Sequence, residues 1–139
     1  MRSLGILVLL LSVSATTFAA QTIATADSYN ATAWFTSGLV EGEPVDRIDT
    51  AYLDQDSIVL YVDWEKLRLR AYRTEVRIVN PDGQVVGTIR NTILPGNGHH
   101  YTYYYYRPSL ADTPGDWTYQ VYVDGRSAFE ARIPVLAGR

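Results

Sequence analysis

The chain has 139 residues, 47% hydrophobic, 12% aromatic and 19% charged, with a formal net charge of −3 and no cysteine. That balance lacks the cationic footprint that a nucleic acid or an anionic membrane requires. The missing cysteine excludes disulfides, thiol nucleophiles and thiolate metal sites, which leaves an apolar core and sheet hydrogen bonds to hold the fold.

Residues 1–20 read as a secretory signal peptide. Met1-Arg2-Ser3 gives a basic start, residues 4–11 an apolar centre, and Thr16-Thr17-Phe18-Ala19-Ala20 a small-residue end, with cleavage expected after Ala19 or Ala20. The apolar run falls well short of the roughly 20 residues a bilayer-spanning helix needs. The expectation is therefore one exported domain covering residues 21–139, in the periplasm or outside the cell, with no membrane span after signal removal. Loss of Arg2 leaves eleven basic against fifteen acidic groups, a net charge near −4. A single lysine, Lys66, stands against ten remaining arginines, whose planar donors suit carboxylates and aromatic faces.

Residues 23–35 begin polar and then place Ala31, Ala33 and Phe35 at alternate positions, which predicts a first, edge-like strand. Ser37-Gly38 ends it, and residues 39–49 are expected to form a loop whose Val45 and Ile48 plug the rim. After an Asp54-Gln55-Asp56 turn, Ile58, Leu60, Val62 and Trp64 alternate with Val59, Tyr61 and Asp63, the pattern of a central strand rich in β-formers. Residues 65–69 connect to a strand at 70–79, with Tyr72, Thr74, Val76 and Ile78 inward and Arg73, Glu75 and Arg77 outward. Asn80-Pro81-Asp82-Gly83 is a turn, because proline presets φ and glycine accepts a positive one. A return strand spans 84–93, and Leu94-Pro95-Gly96-Asn97-Gly98 breaks the chain again.

Residues 101–107 form a strand on propensity, and a loop covers 108–114. The strongest local signal follows. Trp117, Tyr119, Val121 and Val123 share one face of an extended segment, and Asp124-Gly125 then lets Phe129, Ala131, Ile133 and Val135 return antiparallel on the same face. Seven or eight strands at short intervals, with no helix longer than a turn, predict an all-β, two-sheet antiparallel sandwich.

Glu43-Pro44, the strand ending in Asp63-Trp64, the Glu75-Val76-Arg77-Ile78-Val79-Asn80-Pro81-Asp82-Gly83 segment and the stretch from Pro114-Gly115-Asp116-Trp117 to Asp124-Gly125 resemble small bacterial exported immunoglobulin-like domains of uncharacterised function. The resemblance covers most of residues 21–139 and implies an immunoglobulin-like sandwich. It brings no catalytic residues with it.

The serines at 28, 37, 57, 109 and 127 lack a nucleophile elbow, and the two histidines, His99 and His100, are adjacent, so a hydrolytic triad is not expected. Adjacent side chains diverge in extended backbone, so the histidines are read as exposed loop residues and no metal is assigned to them. Asp46, Asp49, Asp54 and Asp56 offer oxygen ligands but lack calcium-loop spacing, and are read as solvated. Glu65, Glu75 and Glu130 lie on separate elements. The strand glutamates flanked by arginines are expected to form cross-strand ion pairs. No enzyme activity and no cofactor are expected.

Eleven tyrosines, with a run at 103–106, exceed what one core needs, since a strand sends only alternate side chains inward. Tyr104 and Tyr106, flanked by Tyr122, are the leading candidates for an outward recognition surface, and Tyr103 with Tyr105 takes the role if the phase is reversed. The function expected is an exported, non-catalytic binding or structural module acting through contacts with another envelope or secreted protein, as an envelope accessory subunit. The alternative is a carbohydrate-binding module with a tyrosine platform.

Overall fold

The computed structural model describes residues 21–24 and 30–139; the signal-peptide reading of residues 1–20 lies outside them. Eleven strands run in chain order: β1 (Gln21–Ala24), β2 (Asn30–Thr36), β3 (Leu39–Val40), β4 (Glu43–Pro44), β5 (Ala51–Tyr52), β6 (Ile58–Glu65), β7 (Tyr72–Val79), β8 (Val85–Ile93), β9 (His99–Tyr106), β10 (Gly115–Val123) and β11 (Arg126–Leu136). They form a four-stranded sheet in the order β1-β2-β6-β9, a five-stranded sheet in the order β5-β11-β10-β7-β8, and a small β3-β4 hairpin.

The fold is thus all-β, but the expected seven or eight strands in two antiparallel sheets become, among the described residues, eleven strands in three sheets. The surplus is made of short pieces. β3, β4 and β5 are two residues each, too brief to leave a periodic signature, and β5 pairs parallel with β11. β2 is not an edge strand, because β1 pairs on its far side. In the expected loop, Ile48 bridges to Phe35 and packs on the core, whereas Val45 is more than half exposed and plugs nothing.

The two large sheets bury their facing sides against each other. Ala31, Ala33 and Phe35 from β2, Leu60, Val62 and Trp64 from β6, Val76 and Ile78 from β7, and Trp117, Tyr119, Val121 and Ile133 from β10 and β11 form one cluster. The inward alternations read for β6, β7, β10 and β11 are those observed. Rings cross the sheet interface, with Phe35 edge-on to Tyr119 at 5.2 Å between centroids and Trp64 at 6.0 Å from Phe129.

Buried rings with polar tips require partners, since an unpaired donor in an apolar core is expensive. The Tyr119 hydroxyl donates to the Ile58 carbonyl across the sheets at 3.0 Å, Trp64 Nε1 to Thr102 Oγ1 at 2.7 Å, and Trp117 Nε1 to the Thr113 carbonyl at 2.9 Å. These bonds fix how each ring sits as well as its burial.

The turns form where glycine permits them. Gly83 has φ 81°, and its amide donates to the Asn80 carbonyl at 3.0 Å. Asp124 (φ 51°) and Gly125 (φ 80°) both adopt left-handed backbone, the geometry of a two-residue hairpin turn that matches strand twist. Arginine is used as its chemistry suggests: Arg47, Arg70, Arg77 and Arg139 lie over Trp34, Tyr72, Tyr122 and Tyr52 at 4.4, 3.8, 4.5 and 5.2 Å from the ring centroids.

Candidate functional site

The outer face of the four-stranded sheet is aromatic. The β6–β9 register pairs Val59 with Tyr105, Tyr61 with Tyr103 and Asp63 with Tyr101, while the β2–β6 register adds Trp34 opposite Tyr61. Every one of these side chains points away from the core, because the alternate set Leu60, Val62, Thr102 and Tyr104 points into it. Tyr101, Tyr103 and Tyr105 are 48%, 45% and 46% exposed on β9, an edge strand of that sheet.

Tyr61 is buried between Trp34, at 4.9 Å, and Tyr101, at 5.6 Å, and Tyr103 meets Tyr105 edge-on at 5.8 Å and 86°. Carboxylates border the rings. Burial, followed by the charge of Glu43, pushes the Tyr61 hydroxyl up to about 12, and burial with the charges of Asp63, Glu43 and Glu65 raises Tyr101 as well. Both phenols therefore stay neutral at ordinary pH and can donate as well as accept hydrogen bonds. Segment 37–48 is tied beside this face: Asp46 accepts from Thr36 Oγ1 at 2.8 Å and from the Ser37 amide at 2.7 Å, and is also bonded to the Ser37 hydroxyl. Burial works against the Asp46 carboxylate, and the Ser37 and Thr36 hydrogen bonds outweigh it to hold its pKa below the usual value.

The tyrosine expectation is therefore corrected in phase. Tyr104 is fully buried, with its hydroxyl 3.2 Å from Thr74 Oγ1 on the opposite sheet. Tyr106 points inward too, with its ring 5.1 Å from Trp117 and its hydroxyl donating to Asp112 Oδ2 at 3.1 Å; burial and then that carboxylate push it up to about 12. Tyr122 lies on β10, on the outer face of the other sheet, where Arg77 stacks on it. The three do not share a surface. The run that does is Tyr101, Tyr103 and Tyr105.

The outer face of the five-stranded sheet is polar. Glu75 accepts from Arg77 Nε at 2.7 Å and from Arg90 Nε on the neighbouring strand at 2.9 Å, and those two bonds hold its carboxyl below the usual range. A shallow concavity of about 740 Å³ lies here, lined by Arg73, Glu75, Arg77, Arg90, Thr92 and Tyr122 among others. Glu130 pairs with Arg132 at 3.4 Å on β11. Glu65 belongs to the other sheet, and β10 separates the strands that carry Glu75 and Glu130, so the three glutamates do not assemble into an acid–base pair.

The histidines differ from their expected loop placement. His99 and His100 open strand β9, opposite Glu65 and Trp64. His99 Nε2 lies 3.2 Å from Asp63 Oδ1, and Asp63, Glu65 and His99 each bring one ligand atom within 4.8 Å of the others. Sequence reasoning missed this group because its members come from strands 34 residues apart. The signal available was the shared outward parity of Asp63 and Glu65. Asp46, Asp49, Asp54 and Asp56 make no comparable group among the described residues.

No protein-family model matches the sequence, and no curated protein matches it. Among solved structures, an immunoglobulin-like protein of Pseudomonas aeruginosa aligns at 12% identity over 74% of this chain and 90% of its own, with a TM-score of 0.50. The alkylpurine DNA glycosylase AlkC of Pseudomonas fluorescens, bound to DNA containing an abasic site analogue, aligns at 16% identity over 63% of this chain and 28% of its own; its TM-score of 0.49 is too slight a likeness to carry an argument. The first shows that the chain is similar in fold to an immunoglobulin-like protein.

Proposed function

We propose that the protein is an exported binding module that docks another envelope or secreted protein, as an accessory subunit, through the exposed outer face of the edge strand β9. The observation that carries this reading is the row Tyr101, Tyr103 and Tyr105, each nearly half exposed on the edge strand β9, with Tyr61 buried behind Tyr101. Folding consumes only one parity of that strand. The other supplies large, rigid contact area with hydroxyls at its margin, the composition of protein interfaces. Glu43, Asp63 and Glu65 at its border favour a partner with basic side chains around an apolar centre.

A glycan platform is less well supported. Stacking on sugars calls for rings that lie flat side by side, whereas Tyr103 and Tyr105 stand at 86° to each other. The test is capture of a partner from the native envelope fraction by the chain from residue 21 onward, followed by affinity measurement with the Tyr103→Ser/Tyr105→Ser variant. The expected result is at least a tenfold loss, about 1.4 kcal/mol, with circular dichroism unchanged. A folded variant that binds the partner with unaltered affinity overturns the assignment.

A further inference from the structure

Asp63, Glu65 and His99 stand at one end of the aromatic face, and we infer that they form a binding site for a divalent transition metal ion, with Zn²⁺ as the best match. The site shares Asp63 and Glu65 with the border of the proposed docking face, but metal binding itself needs no partner on the tyrosines.

The backbone brings the three together. Asp63 and Glu65 are two apart on β6, so both project outward, and the antiparallel register sets His99 directly opposite Glu65 and diagonal to Asp63. Their ligand atoms all lie within 4.8 Å of one another. A metal ion bound at about 2.0–2.1 Å by tetrahedral donors holds those donors about 3.3 Å apart. The 3.2 Å between His99 Nε2 and Asp63 Oδ1 is already such an edge, and Glu65, exposed at the strand end, brings its ligand atom within 4.8 Å of both.

A second observation points the same way. Asp63 Oδ1 is buried from solvent, yet no hydrogen bond is donated to it, despite the nearby imidazole. A buried carboxylate oxygen without a donor is costly, and a cation held between it and the His99 lone pair removes that cost. An ordinary imidazolium–carboxylate pair instead aims an N–H at the oxygen, and that geometry is not met here.

The donor set selects the ion. One imidazole nitrogen with two carboxylates is softer than the all-oxygen shells of Ca²⁺ and Mg²⁺ and has no thiolate to favour Cu(I), so it suits the divalent first-row metals that imidazole binds, of which Zn²⁺ takes the tetrahedral geometry assumed here. Three protein donors leave a fourth position facing solvent. The ion would join the C-terminal end of β6 to the start of β9, where the Pro95-Gly96-Asn97-Gly98 segment feeds the edge strand.

The test is titration of the metal-free protein with ZnCl₂ by calorimetry, alongside His99→Gln, Asp63→Asn and, as a control, Asp54→Asn. The expected result is a one-to-one isotherm for the native chain, unchanged in the control and weakened at least tenfold in both site variants. Co²⁺ should give visible d–d absorption that is lost in His99→Gln. The Tyr103→Ser/Tyr105→Ser variant should bind Zn²⁺ normally, which separates this site from the docking surface. Failure of the native chain to give a saturable one-to-one isotherm, or equal affinity in a folded His99→Gln variant, overturns the inference.

Discussion

The two outer faces of the molecule solve the same problem in opposite ways. On the five-stranded sheet, outward side chains are occupied with one another: Glu75 bridges Arg77 and Arg90, Arg77 covers Tyr122, and Glu130 meets Arg132. On the four-stranded sheet the outward side chains are rings that touch in part and remain near half exposed along β9. A charged face of self-satisfied pairs has little left to offer a partner. An aromatic face holds apolar area in water that folding leaves unburied, and such area is where association gains most. The difference separates a side that completes the fold from one available for contact.

The sharpest way to break this comparison is to truncate neighbours of opposite parity on β9. Tyr104 is fully buried and hydrogen-bonded across the sheets, so Tyr104→Ala should destabilise by about 3–5 kcal/mol, in the range of large-to-small aromatic truncations. Tyr103→Ala, one residue away on the exposed face, should cost less than about 1 kcal/mol, as surface cross-strand pairs do. Urea denaturation of both variants checks it. Equal losses would mean that the outer rings are as structural as the inner ones, and the contrast between the faces would collapse.

The same strand explains what the sequence could and could not disclose. Alternation along β7, β10 and β11 was legible because apolar and polar residues occupy different parities, so a shift by one residue would expose the core. In Tyr103-Tyr104-Tyr105-Tyr106 both parities are tyrosine, and the alternation carries no phase. The phase comes from Leu60 facing Tyr104 and Tyr61 facing Tyr103, a pairing between segments separated by two other strands. The Asp63, Glu65 and His99 group was hidden for the same reason. Hairpins announce themselves through their turns, as at residues 80–83 and 124–125, whereas non-local pairings leave no such mark between the strands they join. β3, β4 and β5, two residues each, were too short for periodicity to register at all.

The five-stranded sheet is the one built from local hairpins, and that invites a second test. Gly83 closes the β7–β8 connection at φ 81°, a conformation in which a β-branched side chain is strained. Gly83→Val should therefore lower stability by about 2 kcal/mol, read from the denaturation midpoint at unchanged slope. No atom lies within 4 Å of where its Cβ would sit, so the loss measures backbone strain free of a clash. Zinc titration and partner affinity of the folded variant should be unaltered, since both proposed sites lie on the other sheet. A loss of either would show that the two faces are coupled through the core.

The smallest effect sharpens the account of the polar side, and it depends on pH. Asp124 at the β10–β11 turn accepts from the Arg73 amide at 2.9 Å and from Arg70 Nη1 at 2.8 Å. The Arg73 backbone bond first, and then the Arg70 hydrogen bond and charge, hold its carboxyl below the ordinary value, against the opposing effect of partial burial. A carboxyl whose pKa falls on folding contributes stability above its unfolded pKa, about 3.9, and loses it as pH falls through the lower folded value. Asp124 and Arg70 are substantially exposed, so solvent screening limits the contribution to a few tenths of a kcal/mol. Asp124→Asn keeps a residue that tolerates the left-handed backbone and retains an acceptor for the Arg73 amide, so it isolates the charge. The expected outcome is a melting temperature slightly below that of the native chain at pH 7, the gap narrowing below about pH 4 and shrinking with added salt. A gap that is constant across pH would assign the effect to turn geometry and remove Asp124 from the electrostatic account of that face.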